Sequence, residues 1–138
     1  MKKLILSAIL SLFAIAPAFA ARTALNVVQP KKPDQAVSAN SLDVAFTAAD
    51  VSNGNSFVST GREYIFAQNS GASPYTVTIT SAPDELGRTN DIDAYSLGAS
   101  EFLCVGPVKQ RGWKQSDGKI YINAENTAVK FLIVRVSQ

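Results

Sequence analysis

The chain has 138 residues, 13 basic and 11 acidic side chains, one cysteine and no histidine. That length accommodates one domain rather than two. The missing histidine removes the commonest general base and transition-metal ligand, so serine triads and tetrahedral zinc centres are not expected.

Residues 1–20 follow the three-part secretory pattern: Lys2 and Lys3, an apolar run over residues 4–15, then Ala18-Phe19-Ala20 with small residues at the cleavage positions. The apolar run is shorter than the roughly 20 residues that a bilayer core requires, so a cleaved signal is expected in place of a membrane anchor. Removal of Lys2 and Lys3 leaves eleven basic residues facing eleven acidic ones. A formally neutral chain has no broad field for phosphate backbones, so neither nucleic acid nor, after cleavage, membrane is an expected partner.

Residues 21–41 are weakly patterned, with an apolar patch at Leu25, Val27 and Val28 followed by Pro30-Lys31-Lys32-Pro33. The two prolines oppose both helix and central strand, and the segment reads as an extended arm, either solvated or docked on another surface. A domain is expected over residues 42–138. Leu42, Val44 and Phe46 alternate with polar or small residues as in a half-buried strand. Residues 49–61 are rich in Asn, Ser and Gly and read as a long connection. Residues 62–68 and 75–80 read as strands separated by the turn Asn69-Ser70-Gly71-Ala72-Ser73-Pro74, which predicts either a hairpin or neighbours across a Greek-key corner.

After a polar loop over residues 83–90, strands are expected at 92–97, at 101–105 with a stop at Gly106-Pro107, at 119–124 after the turn Ser116-Asp117-Gly118, and at 128–136. The last carries apolar groups on both sides, so it belongs in the centre of a sheet or under a second one. About seven short antiparallel strands without helical periodicity predict an all-β fold, a single β-sandwich or jelly-roll-like domain.

Chemical signatures are sparse. Cys104 lies in an apolar stretch and reads as a buried packing residue. Asp84-Glu85 and Asp91-x-Asp93 flank one loop, but their spacing matches no calcium loop and no cluster of aromatics marks a glycosidase cleft around them. Trp113, in Lys109-Gln110-Arg111-Gly112-Trp113-Lys114, reads either as a plug for one end of the sandwich or, with Arg111, as a surface anchor for a sugar or a protein. No cofactor, metal or catalytic residue is expected.

Several segments together resemble a known family: Asn53-Gly54-Asn55-Ser56-Phe57 through Thr60-Gly61-Arg62-Glu63, Gln68-Asn69-Ser70-Gly71-Ala72-Ser73-Pro74-Tyr75-Thr76-Val77-Thr78-Ile79-Thr80, Ala94-Tyr95-Ser96-Leu97-Gly98-Ala99, Gly106-Pro107 and Ser116-Asp117-Gly118-Lys119-Ile120-Tyr121. Over residues 42–136 the chain is similar to the head decoration, or cement, proteins of tailed phages. The resemblance implies a non-catalytic structural protein on the virion surface, commonly a homotrimer, that staples a capsid-like protein lattice. It further implies that a terminal arm, here Leu25, Val27, Val28, Lys31 and Lys32, reaches a neighbour. The leader implies export to the periplasm or beyond. The second function expected from the residues is therefore an exported bacterial β-sandwich that binds a glycan or a cell-surface partner through Arg111 and Trp113.

Overall fold

The computed structural model describes residues 21–136, so the expected leader at 1–20 lies outside the described residues. They form two five-stranded sheets and no helix, a β-sandwich. In chain order the strands are β1 (Thr23–Ala24), β2 (Val27–Val28), β3 (Thr47–Ala48), β4 (Asn55–Val58), β5 (Glu63–Asn69), β6 (Tyr75–Thr80), β7 (Ile92–Leu97), β8 (Phe102–Val108), β9 (Lys119–Ala124) and β10 (Val129–Arg135). One sheet has the order β1-β4-β9-β6-β7; the other has β2-β10-β5-β8, with β3 also paired to β10. We call them the A and B sheets. All pairs are antiparallel except β1 with β4 and β2 with β10.

The core lies between the sheets and follows from the period-two alternation. Val77, Ile79, Ile120, Ile122 and Phe57 from A meet Ile65, Ala67, Val129, Phe131 and Ile133 from B, all essentially inaccessible. The expectation for the last strand is met, since β10 is central in its sheet and Leu132, on the side away from the core, is itself buried.

Four expectations are corrected. The alternation at Leu42, Val44 and Phe46 does not become a strand; pairing begins only at Thr47, and Leu42 and Val44 stay exposed because no neighbour covers them. The supposed connection over 49–61 contains β4, whose Phe57 is buried although Asn and Ser precede it. β8 continues through the cis Gly106–Pro107 bond instead of stopping there. At Gly106 the chain passes so close to Tyr64 that a Cβ would lie 2.9 Å from the Tyr64 Cα, which leaves room for glycine alone. Cys104 is exposed, because on β8 it shares the outward side with Phe102 while Leu103 and Val105 pack toward the core.

The two strands around the 69–74 turn are not a hairpin, for β5 belongs to B and β6 to A. Asn69 makes that corner. Its Nδ2 donates to the carbonyls of Ser73, Leu97 and Gly98 at 2.7, 3.0 and 3.1 Å, and its Oδ1 accepts from the Gly71 N–H at 2.9 Å. A fully buried amide with four partners fixes the turn in a way that composition does not reveal.

At the other end of β5 the buried residue is Glu63. Its carboxylate accepts from the N–H groups of Thr60, Gly61 and Arg62, from the Thr60 hydroxyl at 2.6 Å and from the Arg135 Nε at 2.7 Å. Burial alone would push this carboxyl up, but the Thr60 hydroxyl, the Arg135 guanidinium and the amides outweigh it and hold it at about 2 instead of 4.5. β5 therefore organises both ends of the sandwich through one buried polar side chain at each of its termini.

The expected arm divides into two parts. Residues 23–28 are woven into the domain, with β1 on A, β2 on B, and Leu25 between them buried in the core at 7 % exposure. Arg22 fixes the entry by donating to Asn123 Oδ1 at 2.8 Å and lying 4.2 Å over the Tyr121 ring. The part that does project is the exposed connection from Gln29 to β3.

Candidate functional site

Two surfaces concentrate what the fold leaves unused. The first is the outer face of B. Because Ile65, Ala67, Phe131 and Ile133 face inward, the alternate residues Tyr64, Phe66, Leu132 and Val134 face outward, and the register sets Phe66 beside Leu132 and Cys104, and Tyr64 beside Val134. Val28 extends the row next to Val134. Phe102, at 64 % exposure, marks the far edge on β8, and Phe46 packs edge-to-face against it with ring centroids 6.3 Å apart. That contact bridges the face from one margin toward the other. A mostly apolar sheet face, with Leu42, Val44 and Phe102 exposed nearby in the chain or on the edge strand, is the kind of surface that marks interaction sites.

The second is a cleft at the end of the sandwich where β6, β8 and β10 finish and β5, β7 and β9 begin. The β8–β9 connection crosses this end and is held on both sides. Gln110 Nε2 donates to the Ser59 carbonyl at 2.8 Å, and Gln115 Nε2 donates to the carbonyls of Thr80 and Ser81 at 3.2 and 3.0 Å. The Ala82 N–H donates to the Gly112 carbonyl at 2.8 Å, which joins this connection to the β6–β7 loop.

Trp113 sits between the two readings its sequence allowed. Its indole packs against the core but is not fully covered, and it borders two cavities. One, of about 230 Å³, is lined by Ile79, Val105, Gly106, Pro107, Val108 and Trp113. The other, of about 260 Å³, mixes apolar and polar surface and is lined by Ser81, Asp84, Arg88, Thr89 and Asn90 together with Trp113. Arg111 lies further out, in an open hollow with Asp84, Glu85 and Arg88.

The acidic residues of the β6–β7 loop serve its conformation. Asp84 accepts from the N–H groups of Leu86 and Arg88 at 2.9 and 2.8 Å and from Arg88 Nε at 2.8 Å. The Arg88 N–H leads the groups that hold the Asp84 carboxyl below the usual range, against the opposing effect of burial. Asp91 accepts from the hydroxyl and the N–H of Ser81 at 2.5 and 2.8 Å, and the hydroxyl foremost lowers its carboxyl as well. Both are acceptors at neutral pH, and neither has the raised affinity for a proton that a general acid needs. No group of three or more His, Cys, Asp or Glu side chains is gathered for a metal among the described residues.

The residues singled out by sequence thus separate. Arg111 and Trp113 border the cleft end. Leu25 and Val27 pack with the core, Val28 lies on the outer face of B, and Lys31 and Lys32 sit in the exposed connection after β2. Leu25 is buried and Val27 partly buried, because the chain crosses from one sheet to the other there and these side chains fill the seam. Sequence reasoning missed Ser81, Arg88 and Asn90. The one available signal was Asp84 three residues ahead of Gly87, the pattern of a tight turn capped by an aspartate. No protein-family model, curated protein or solved structure matches this chain.

Proposed function

We propose that the chain is a non-catalytic structural module that binds and stabilises a protein lattice of the phage-capsid type through the outer face of B. The observation that carries this reading is the apolar row Tyr64, Phe66, Leu132 and Val134 with the exposed Phe102 at its edge. It accords with the resemblance to decoration proteins. The exposed connection after β2, with Lys31 and Lys32, is the segment with the reach to extend such a contact to a neighbouring subunit. Action by binding also fits the absence of histidine and the lowered carboxyls of Asp84 and Asp91.

Mechanistically the protein shifts an equilibrium. A module that binds the assembled lattice and not its free subunits stabilises the lattice by mass action, and repeated copies multiply a modest contact. Association of three copies around a symmetry axis belongs to the same proposal.

The test is co-sedimentation with heads assembled from a major coat protein encoded in the same genome, together with light scattering of the isolated chain. The reading expects saturable binding that Phe102→Asp weakens at least tenfold while the variant stays folded. Folded wild-type protein that stays in the supernatant at every concentration, or binding untouched by Phe102→Asp, overturns it.

A further inference from the structure

We propose that the cleft bordered by Trp113 is a binding site for a saccharide ring, separate from the outer face of B assigned to the lattice. The residues around Trp113 differ in chemistry from one hollow to the other. Trp113 is shared by two hollows: one is otherwise walled by Ile79, Val105, Pro107 and Val108, and the other, which mixes apolar with polar surface, carries the polar side chains of Asp84, Arg88, Thr89 and Asn90. A sugar ring has the matching asymmetry, with C–H groups on its faces and hydroxyls around its rim. The ring face rests on the aromatic surface while the rim meets the polar wall.

The polar wall narrows the choice further. A hydroxyl both donates and accepts, and Asp84 and Arg88 present an ionised acceptor and a cationic donor side by side, 2.8 Å apart. Arg88 uses Nε on Asp84, and among the described residues its two Nη groups make no hydrogen bond, so they remain available as donors. A phosphate would meet repulsion from Asp84, and a purely apolar ligand would bury this pair without replacing its water. A polyol satisfies both members at once.

The site is also built in advance. Gln110 and Gln115 anchor the loop that carries Trp113, the Ala82–Gly112 hydrogen bond ties it to the facing loop, and Asp91 with Ser81 holds the base of that loop, where the Ser81 hydroxyl accepts from the Asn90 N–H at 2.8 Å. Ordering achieved on folding is not charged again on binding. At about 230 and about 260 Å³ each hollow lies just under the roughly 300 Å³ at which small-ligand pockets begin, which suits a single ring.

Trp113 is the single tryptophan of the chain, so its intrinsic fluorescence reports on this cleft alone. Purified protein is titrated with three neutral saccharide probes, maltotriose, cellotriose and tri-N-acetylchitotriose, and with a proline-rich octapeptide as the protein-like alternative. The expected result is a saturable one-to-one change with at least one saccharide, weakened about tenfold by Arg88→Ala through loss of a charged donor and unchanged by Phe102→Asp. Arg88 is largely exposed, so its removal leaves the fold in place. Trp113→Phe, followed by calorimetry, is expected to retain weaker binding of the same saccharide. The proposal is overturned by the absence of saturation with all three saccharides, by saturation with the peptide alone, or by undiminished saccharide affinity in Arg88→Ala.

Discussion

The outer faces of the two sheets are built by the same alternation and end with opposite character. On A the outward positions of β6 are Thr76, Thr78 and Thr80, beside Tyr121 and Asn123 of β9, and the first two are satisfied by local polar contacts. Glu125 accepts from the N–H and hydroxyl of Thr76, and the Thr78 hydroxyl accepts from the Ala94 N–H. On B the corresponding positions are Tyr64, Phe66, Leu132 and Val134. Threonine has the branched shape that a pleated surface favours and still hydrogen-bonds water, so A needs no cover. Aromatic and aliphatic side chains gain by losing water, so B is left with a reason to meet something else. The comparison teaches that both faces are good strand surface, and that B gathers its half-buried apolar side chains, Tyr64, Phe66 and Val134, into one row, whereas A leaves Val58 exposed at the end of β4.

The strongest way to break the comparison is to strike beneath both faces. Glu63→Ala removes the carboxylate that holds the 59–62 turn and leaves Arg135 and several N–H groups without their partner. It is expected to cost about 3 kcal/mol, measured by urea unfolding, and so to disturb more than any outward substitution on either sheet. The same group sets an acid limit. Its carboxyl lies at about 2 in the folded chain, below its ordinary 4.5, so its contribution is complete above pH 4.5 and is lost as the pH falls toward 2. Thermal melts should therefore fall over that window, and Glu63→Gln, already destabilised at neutral pH, should show a shallower decline there.

Leu132→Ala tests whether the outer face of B already carries some packing of its own, since Leu132 is only 8 % exposed. A loss of about 2 kcal/mol is expected. Phe102→Asp, on the more exposed margin, should cost about 1 kcal/mol through its edge contact with Phe46, while having its main effect on binding. Thr80→Val, outward on A, should shift stability by less than about 0.5 kcal/mol. If the Thr80 and Leu132 variants proved equally harmful in the same denaturation series, the contrast between the faces would be lost.

Much of the strand content was legible from sequence. The alternations at 75–80 and 128–136 and the turn Ser116-Asp117-Gly118 led directly to β6, β10 and the entrance to β9. β4 was not legible, because Asn55 and Ser56 look like loop residues and are buried only through pairing with β9 and β1. The strand expected at 42–46 failed for the converse reason: its alternation is genuine, but no strand lies alongside it. Cys104 was misplaced because neighbouring apolar residues do not tell which side of an edge strand is covered. For the cleft, Trp113 and Arg111 stood out by type. Arg88 and Ser81 did not, since their value comes from two loops meeting across the end of the sandwich.

The sequence by itself determined that this chain is all-β, that it lacks the histidine-based chemistry of most hydrolases, and where most of its turns fall. Those properties are local: alternation, composition and turn preference act over a few residues. Which sheet each strand joins was decided only by the tertiary structure. Turn residues reverse the chain without choosing a side, and the buried Asn69 and Glu63 complete that choice through partners brought together by folding. The two proposed surfaces share this origin. An apolar row becomes an interaction face when the opposite side of its sheet has filled the core, and a tryptophan becomes the wall of a cleft when loops distant in sequence close around it.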